Sequence, residues 1–351
     1  MKLPVNLRWL VALSALHVLP WGLEAQDSVK ADTRPTRLFR DDRPLAISLS
    51  GDLRQLFKDR DTLTEKRFPA TLTWRVEGGD TGTAMIAVAT RGHSRLLPTV
   101  CDVPPLRLYL PEGEARPQFW RGQGSLKLTV TCKRDPEYTQ YVLQEFLLYR
   151  MYELFTPMSF RTRLARTTLV DDARRDTVGV IWSFFTEDAD DVARRNGGEI
   201  FEQPGIRFGD VDSAAMLRVG VYEYMVANTD WALQLYHNIR ILKIPPGIYY
   251  PVPYDFDFSG IIKTPYAHPS PKLPIRTVRE RLYRGPCPGM EQLAPIFADF
   301  NAKKDTVYAL HRALPDFDAK RSADALKFLD EFYKTINDPK KAKSEFQWQC
   351  Q

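Results

Sequence analysis

The sequence predicts an α+β fold in which a small strand-rich half precedes a larger helical half. Up to Cys132, apolar and polar residues alternate with the two-residue period of β-strands, and beyond it the period changes to that of helices. Inside the helical half, a short strand-like hairpin carries several acidic side chains. This order predicts a small β lobe on a larger α lobe, with a cleft between them.

The first 25 residues have the pattern of a secretory signal peptide. Lys2 and Arg8 give a positive start, an apolar stretch follows, and Ala25 ends a plausible cleavage site. The apolar stretch is short for a membrane span, which needs about 20 residues, and an uncleaved anchor is the alternative. We therefore expect a secreted or periplasmic protein without stable membrane insertion. The polar residues 26–44 are expected to form a linker.

Charge and cysteine content narrow the class of protein. The whole chain has a formal net charge of +5, which falls to +4 without the predicted signal peptide. This mild charge argues against a nucleic-acid-binding protein. Four cysteines in an exported chain favour disulfides over a metal site. We prefer the pairs Cys101–Cys132 and Cys287–Cys350 because each stays within one half, although the sequence leaves the two other pairings open.

The predicted β-rich half spans residues 45–186. A glycine-rich turn separates two alternating segments and so predicts a hairpin. The segment between Asp135 and Phe155 has helical spacing and no internal glycine or proline after its start. The predicted strands cover residues 70–76, 83–90, 106–110, 126–130, 163–170 and 178–186.

The predicted helical half spans residues 187–351. A short polar helix begins near Glu187 and ends at the glycine pair 197–198. The helix from Ser213 to Asn228 has a broad apolar side, which predicts burial in a helical core. Further helices are predicted for residues 289–300, 305–314 and 322–336.

Four oxygen-bearing side chains, Asp230, Asn238, Asp255 and Asp257, lie near the ends of short strands in this half. Magnesium and similar hard cations prefer such ligands. Alternation places Asp255 and Asp257 on one strand face, where like charges repel unless a cation lies between them. A metal ion is the simplest cation that could lie between them. The alternatives are a solvated surface hairpin for this pair and a helix-terminating turn for Asp230.

The segment from Asn228 to Gly260, with its Asn-Thr-Asp-Trp turn and Asp-Phe-Asp-Phe-Ser-Gly run, resembles the catalytic segment of the CotH family. These are atypical, spore-coat-type members of the protein-kinase-like fold, and the bacterial toxin kinases of that fold are more weakly similar. Residues 90–95 are similar to the family's Arg-Gly-Asn-Ser signature, and residues 179–187 to the strand before its hinge. The resemblance implies a bilobal protein-kinase-like fold with a small β-rich N-lobe, residues 45–186, and a larger helical C-lobe, residues 187–351.

The resemblance also implies an activity: phosphoryl transfer from ATP, with Mg²⁺ or Mn²⁺, to a hydroxyl group on a protein acceptor. Asp230 matches the catalytic aspartate that orients or deprotonates the acceptor. Asn238 and Asp255 match the metal ligands, with Asp257 as a competing or additional ligand. In such transfers the protein mainly positions groups and neutralises charge.

The phosphate-binding side of this expected site is less clearly marked. Lys127 precedes the helix that carries Glu145, which predicts a lysine–glutamate pair facing the cleft. Arg107, on the neighbouring strand, is a rival for Lys127, and the alternative for Lys127 is a solvent-facing lysine. Glu187 could meet the nucleotide sugar, or it could simply stabilise the start of a helix.

Three further side chains near the predicted hairpin, Arg91, Ser94 and Arg95, could contact phosphate, although a turn role for Gly92 and Ser94 is an equal alternative. No glycine-rich phosphate loop is present, so a non-catalytic binding or surface protein is the main rival hypothesis. Nucleotidyl transfer with the same acids is a third. Motifs of serine hydrolases, zinc proteases and Walker-type nucleotide-binding proteins are not found in the sequence.

Overall fold

The computed structural model describes residues 33–61, 64–348 and 350. Residues 45–186 build a closed β-barrel whose strands follow the order β1-β2-β3-β4-β5-β7-β6. Neighbouring strands are antiparallel, except that β1 and β6 close the barrel in parallel. The strands are β1 (Leu45–Gly51), β2 (Phe68–Arg75), β3 (Thr81–Thr90), β4 (Leu106–Tyr109), β5 (Ser125–Val130), β6 (Thr162–Asp171) and β7 (Asp176–Thr186).

Alternating side chains fill the barrel interior. In β1, Leu45, Ile47 and Leu49 are buried while the residues between them are more exposed. This is the pattern expected of a strand with one face on a core. Aromatic rings add much of the buried area, and Trp120 packs edge-on against both Trp74 and Phe185.

Two helices belong to this part of the chain: α1 (Leu53–Lys58) and α2 (Pro136–Glu153). The Asp135 side chain caps α2 by accepting a hydrogen bond from the backbone N–H of Glu137. Leu143 and Leu147 are fully buried on α2, which packs against β7. This packing fixes the orientation of Glu145 and Tyr149, which lie one turn apart on the same helix face.

The remaining part of the chain that the structure describes combines a small sheet with six α-helices. The sheet has three antiparallel strands in the order β10-β9-β8, and a buried cluster of aliphatic and aromatic side chains joins it to the helices. The elements are α3 (Ala189–Arg195), β8 (Glu199–Phe201), α4 (Ser213–Val226), β9 (Ile239–Ile244), β10 (Ile248–Pro253), α5 (Met290–Ala302), α6 (Lys304–Ala313), α7 (Ala319–Ile336) and α8 (Pro339–Phe346).

The prediction of a bilobal protein-kinase-like fold, with a small β-rich N-lobe and a larger helical C-lobe, is wrong. The strand-rich part is a closed, mixed barrel of seven strands. Closure depends on the pairing of Leu45 with Ala165, which are 120 residues apart. Alternation identifies a strand and its buried face but does not identify a distant parallel partner, so this closure was not visible in the sequence.

The beginning of the chain differs from the predicted linker. The predicted signal peptide, residues 1–25, lies outside the described residues, as does the linker up to residue 32. The described remainder of the linker packs on the barrel, because Leu38 and Phe39 are buried in its core. Arg163 donates to the backbone carbonyl of Leu38 at 3.2 Å.

Both preferred disulfides, Cys101–Cys132 and Cys287–Cys350, are confirmed. The first joins the loop between β3 and β4 to the start of the segment that leads into α2. Disulfides of this kind are typical of oxidising compartments outside the cytosol. In the part of the chain that the structure describes, no helix is long and apolar enough to cross a membrane.

Candidate functional site

A cavity of about 310 Å³ lies where the loop after β3 faces the hairpin β9–β10. Three chain segments build it: residues 91–95 and 105 after β3, residues 230–238 after α4, and residues 254–258 after β10. The acidic segment found in the sequence therefore does converge on one cavity. The polar and charged side chains that line it are Arg91, His93, Ser94, Arg95, Asp230, Tyr236, His237, Asn238, Tyr254, Asp255 and Asp257.

The end of α4 positions Asp230. Helix α4 ends at Val226, the next residue, Ala227, has a left-handed backbone, and the Asn228 side chain accepts a hydrogen bond from the backbone N–H of Asp230 at 3.0 Å. Asn238 donates to the Asp230 side chain at 3.1 Å, and His237 Nε2 lies 3.0 Å from its other oxygen. With 39% of its side chain exposed, Asp230 is fixed in position yet accessible to a ligand.

Left-handed backbone conformations concentrate at this cavity. Tyr236, Asn238 and Asp255 all line it and have φ values of 51°, 53° and 63°. Non-glycine residues adopt this conformation rarely, and Asn and Asp tolerate it better than others. Such residues cluster at functional sites, because binding or catalysis can require an orientation that a relaxed backbone does not give.

The buried guanidinium of Arg95 joins three carboxylates in the wall of the cavity. It forms ion pairs with Glu145 at 3.0 Å, Asp255 at 3.2 Å and Asp257 at 3.1 Å. Tyr266 donates a further hydrogen bond to Asp257, also at 3.1 Å. Arg95 therefore supplies the positive charge between Asp255 and Asp257 for which the sequence favoured a metal ion.

One cation cannot neutralise three acids, of which Glu145 and Asp257 are buried. Burial raises the pKa of Asp257 to about 8, against the attraction of Arg95, and the neighbouring Asp255 and Glu145 raise it further. Burial likewise raises the pKa of Glu145 above its usual range. A proton on one of these carboxyl groups near neutral pH lowers the negative charge that the cluster can offer to a metal ion.

The donor set at the cavity does not form a dedicated metal site. Within residues 33–61, 64–348 and 350, no three His, Cys, Asp or Glu side chains are arranged to hold a metal ion. Asp257 is engaged by Arg95 and Tyr266, which leaves the amide oxygen of Asn238 and the second oxygen of Asp255. Two oxygens suit Mg²⁺ only when waters and ligand phosphates complete its coordination, which is a common arrangement for this ion.

Cationic side chains lie around Tyr254, and of these Arg91 lines the cavity together with Tyr254. Lys127 Nζ lies 5.6 Å and the Arg240 guanidinium 4.9 Å from the centre of the Tyr254 ring. Arg91 donates to the Thr129 hydroxyl at 3.1 Å, and Arg107 is the register partner of Lys127 on β4. We call these four side chains, Lys127, Arg91, Arg107 and Arg240, the cationic wall.

The cationic wall is poorly neutralised. Burial lowers the pKa of Lys127 to about 8, and the charges of Arg91, Arg107 and Arg240 lower it further. Among the described residues, Lys127 forms no ion pair, and Arg107 reaches only Glu65 at 3.8 Å. An anion bound beside Arg91 and Tyr254 would therefore lower the repulsion between Lys127 and its cationic neighbours.

Two predicted site residues, Glu145 and Glu187, contact other groups than the sequence predicts. Glu145 pairs with Arg95 rather than Lys127, because α2 directs it towards the loop after β3. Glu187 lies outside the cavity and is completely buried, with Arg195 at 2.9 Å and the backbone N–H of Arg161 at 3.0 Å. Its surroundings are those of a structural carboxylate, and no face remains for a nucleotide sugar.

Sequence reasoning missed three side chains that shape the site. Tyr149 accepts a hydrogen bond from the backbone N–H of Asp255 at 2.8 Å, and its position one turn after Glu145 was a usable signal. Arg240 alternates with buried residues along β9. Glu223 is buried beneath Asn228 and Asp230, and burial raises its pKa well above the usual range, but a single acid on an apolar helix had no readable partner.

The comparisons of the sequence with protein families and with curated proteins give no match. No family model matches the chain, and no curated protein is similar to it at a significant level.

Proposed function

We propose that the cavity binds a nucleotide such as ATP and that the protein transfers its phosphoryl group to a hydroxyl acceptor, on a protein. The observation that carries the proposal is that an accessible, oriented aspartate, Asp230, lines the same cavity as Arg91 and Tyr254, next to which the other members of the cationic wall lie. Phosphoryl transfer requires these two features, because positive groups must hold the phosphates and an oriented base must face the acceptor. The likeness of the acidic segment to the CotH catalytic segment supports the same activity.

Each side chain has a definite role in this proposal. Lys127, Arg91 and Arg240 hold the phosphates, and Asp230 orients the acceptor hydroxyl or takes its proton. His237 and Asn238 fix the Asp230 carboxylate. Asn238 and Asp255 would hold a divalent cation together with the phosphates, and that ion would supply neutralisation of phosphate charge.

The second candidate is a binding protein that holds a phosphorylated ligand without transferring the phosphate. The ion pairs of Arg95 with Glu145, Asp255 and Asp257 favour it, because they satisfy the carboxylates that would otherwise recruit metal. In this case affinity depends on the cationic wall alone and is insensitive to Mg²⁺.

The two candidates separate in an assay of labelled phosphate transfer from ATP to a mixed protein acceptor and to the protein itself. For the enzyme, Asp230→Asn lowers the transfer rate about 10²–10⁴-fold, a typical contribution of a general base, while ATP binding persists. Asp210→Asn, in an exposed turn outside the cavity, is the matched control and retains the rate. Transfer that is equally fast in wild type and Asp230→Asn contradicts the catalytic role. Saturable ATP binding with no transfer under any divalent cation identifies the second candidate.

A further inference from the structure

A second cavity, of about 720 Å³, lies between α1, the first half of β7 and the segment that joins β5 to α2. It is remote from the candidate site, since its β7 residues begin at Val178 whereas Lys127 pairs with Thr186 at the far end of that strand. Its volume falls in the range of about 300–1,000 Å³ that is typical of small-ligand pockets. We call it the basic cavity.

One part of the basic cavity is apolar. Phe57, Val103, Val178 and Ile181 line it, and all four are partly buried side chains that pack on the core of the barrel. Val180, also on the wall, leaves 51% of its surface exposed. The barrel core is thus only partly covered from solvent here, and an apolar ligand group would complete the cover.

The rest of the lining is strongly cationic. Five basic side chains line the cavity against a single carboxylate, that of Asp102: Arg54, Lys58, Lys133, Arg134 and Arg174. Two of these are engaged, because Arg54 pairs with Asp171 at 2.7 Å and Lys133 donates to the Thr99 carbonyl at 3.0 Å. In the described chain, Lys58, Arg134 and Arg174 form no ion pair, so three cations from three different elements face the solvent of one cavity.

From this juxtaposition we infer that the basic cavity binds an amphiphilic anion: an alkyl chain with a carboxylate or similar head group. The alkyl chain covers the apolar wall, and the head group pairs with Lys58, Arg134 or Arg174. A neutral lipid gains nothing from the cations, and a purely acidic peptide gains nothing from the apolar wall. The inference does not depend on the proposed phosphoryl transfer.

The test is a calorimetric titration of the purified chain with octanoate and decanoate below their micelle concentrations. We expect saturable binding of one molecule per chain. Decanoate should bind about 15-fold more tightly than octanoate, because each buried methylene strengthens binding about fourfold. The neutral 1-decanol should bind at least about tenfold more weakly than decanoate, since it lacks the charge-assisted contact.

Two variants locate the site without disturbing the fold. Arg174→Glu reverses an exposed cation, and Val180→Glu places a negative charge on the exposed wall; each should weaken decanoate binding about tenfold or more. The matched control, Lys327→Glu on the exposed face of α7, should leave it unchanged. Thermal melting of each variant verifies folding.

Three results would overturn the inference. They are the absence of saturable decanoate binding up to millimolar concentration, equal binding by wild type and both cavity variants, and tighter binding of a hexaglutamate peptide than of decanoate. ATP binding serves as an independent readout, and Arg174→Glu should leave it unchanged.

Discussion

The acidic and cationic sides of the candidate site differ in how far the protein satisfies them by itself. On the acidic side, Arg95 pairs with Glu145, Asp255 and Asp257, and Tyr266 adds a hydrogen bond. On the cationic side, burial and the charges of Arg91, Arg107 and Arg240 lower the pKa of Lys127, and Asp188 compensates them only in part. The acidic side is therefore largely a structural network, whereas the cationic side is built to receive an anion.

This difference changes the meaning of the acidic segment. Four oxygen-bearing side chains in sequence predict a metal site, but a buried arginine from a loop 160 residues away already occupies the centre of the acidic cluster. Ligand recognition is expected to come from Lys127, Arg91 and Arg240. Asp230 stands apart from both sides, because its neighbours His237 and Asn238 orient it without burying it.

Removing the arginine should have the largest effect. Arg95→Met leaves three buried or partly buried carboxylates without their cation, and breaking such a network typically costs about 3–5 kcal/mol of unfolding free energy. Denaturant unfolding measures it. Lys243→Met, which removes an exposed pair with Glu199, should cost no more than about 1 kcal/mol.

A double variant keeps the test informative if Arg95→Met alone does not fold. Adding Asp257→Asn to Arg95→Met removes one of the stranded charges and should recover part of the lost stability. No recovery, or a loss from Arg95→Met as small as that from Lys243→Met, would show that Arg95 does not hold the acidic side together.

A substitution on the cationic side should change the affinity for ligand rather than the stability of the fold. Lys127→Met should weaken ATP binding about 10–100-fold, the usual value of a charged hydrogen bond, and should leave the melting temperature without ligand nearly unchanged or raised. Because the pKa of Lys127 is about 8, ATP affinity should also fall as the pH rises through 8.

Lys133→Met is the matched control for Lys127, since both lysines lie on the same segment but Lys133 points to the basic cavity. Ligand-induced thermal shifts at several pH values compare the two variants. Equal ATP shifts for Lys127→Met and wild type would contradict the role of the cationic wall.

The most gradual expected effect is a slope of stability with pH. The pKa of Asp257 is about 8 in the folded protein and near 3.8 in the unfolded chain, so the folded state binds more protons between these values. The contribution of Asp257 to the free energy of unfolding is therefore fully present below about pH 4 and is lost as the pH rises towards 8. The loss is at most about 1.4 kcal/mol per pH unit.

Asp257→Asn should flatten that slope, because asparagine does not titrate. Urea unfolding of both proteins at pH 5, 6, 7 and 8 measures the difference. A slope that is unchanged by the substitution would place the proton on another group of the cluster, such as Glu145.

Local structure was readable from the sequence to a large extent. Alternation found β2 to β7, and helical spacing found α2 and α4 to within a few residues, because these patterns are repeated over many positions. The short α1 and β1 were not separated, and the attachment of Leu38 to the barrel was hidden in a polar segment. Barrel closure between β1 and β6 was out of reach, because pairing partners 120 residues apart leave no local pattern.

The sequence predicts which acidic residues and amides form the site but not which contacts they make. Asp230, Asn238, Asp255 and Asp257 do share a cavity, as their clustering in sequence predicted. The sequence marks Arg95 only as a candidate phosphate contact, because its pairing with Glu145 depends on how a loop folds back onto α2. The sequence does not distinguish Glu187 from an acid that binds a ligand. The ion pair between Glu187 and Arg195 depends on the three-dimensional packing.

The most direct test of the account is a calorimetric titration of the full chain with ATP, with and without Mg²⁺, in wild type and Lys127→Met. We expect saturable binding of one nucleotide per chain, detectable without metal because the cationic wall supplies the attraction, and at least about tenfold weaker in Lys127→Met. No saturable binding of ATP under either condition, or equal affinity in both proteins, would contradict it.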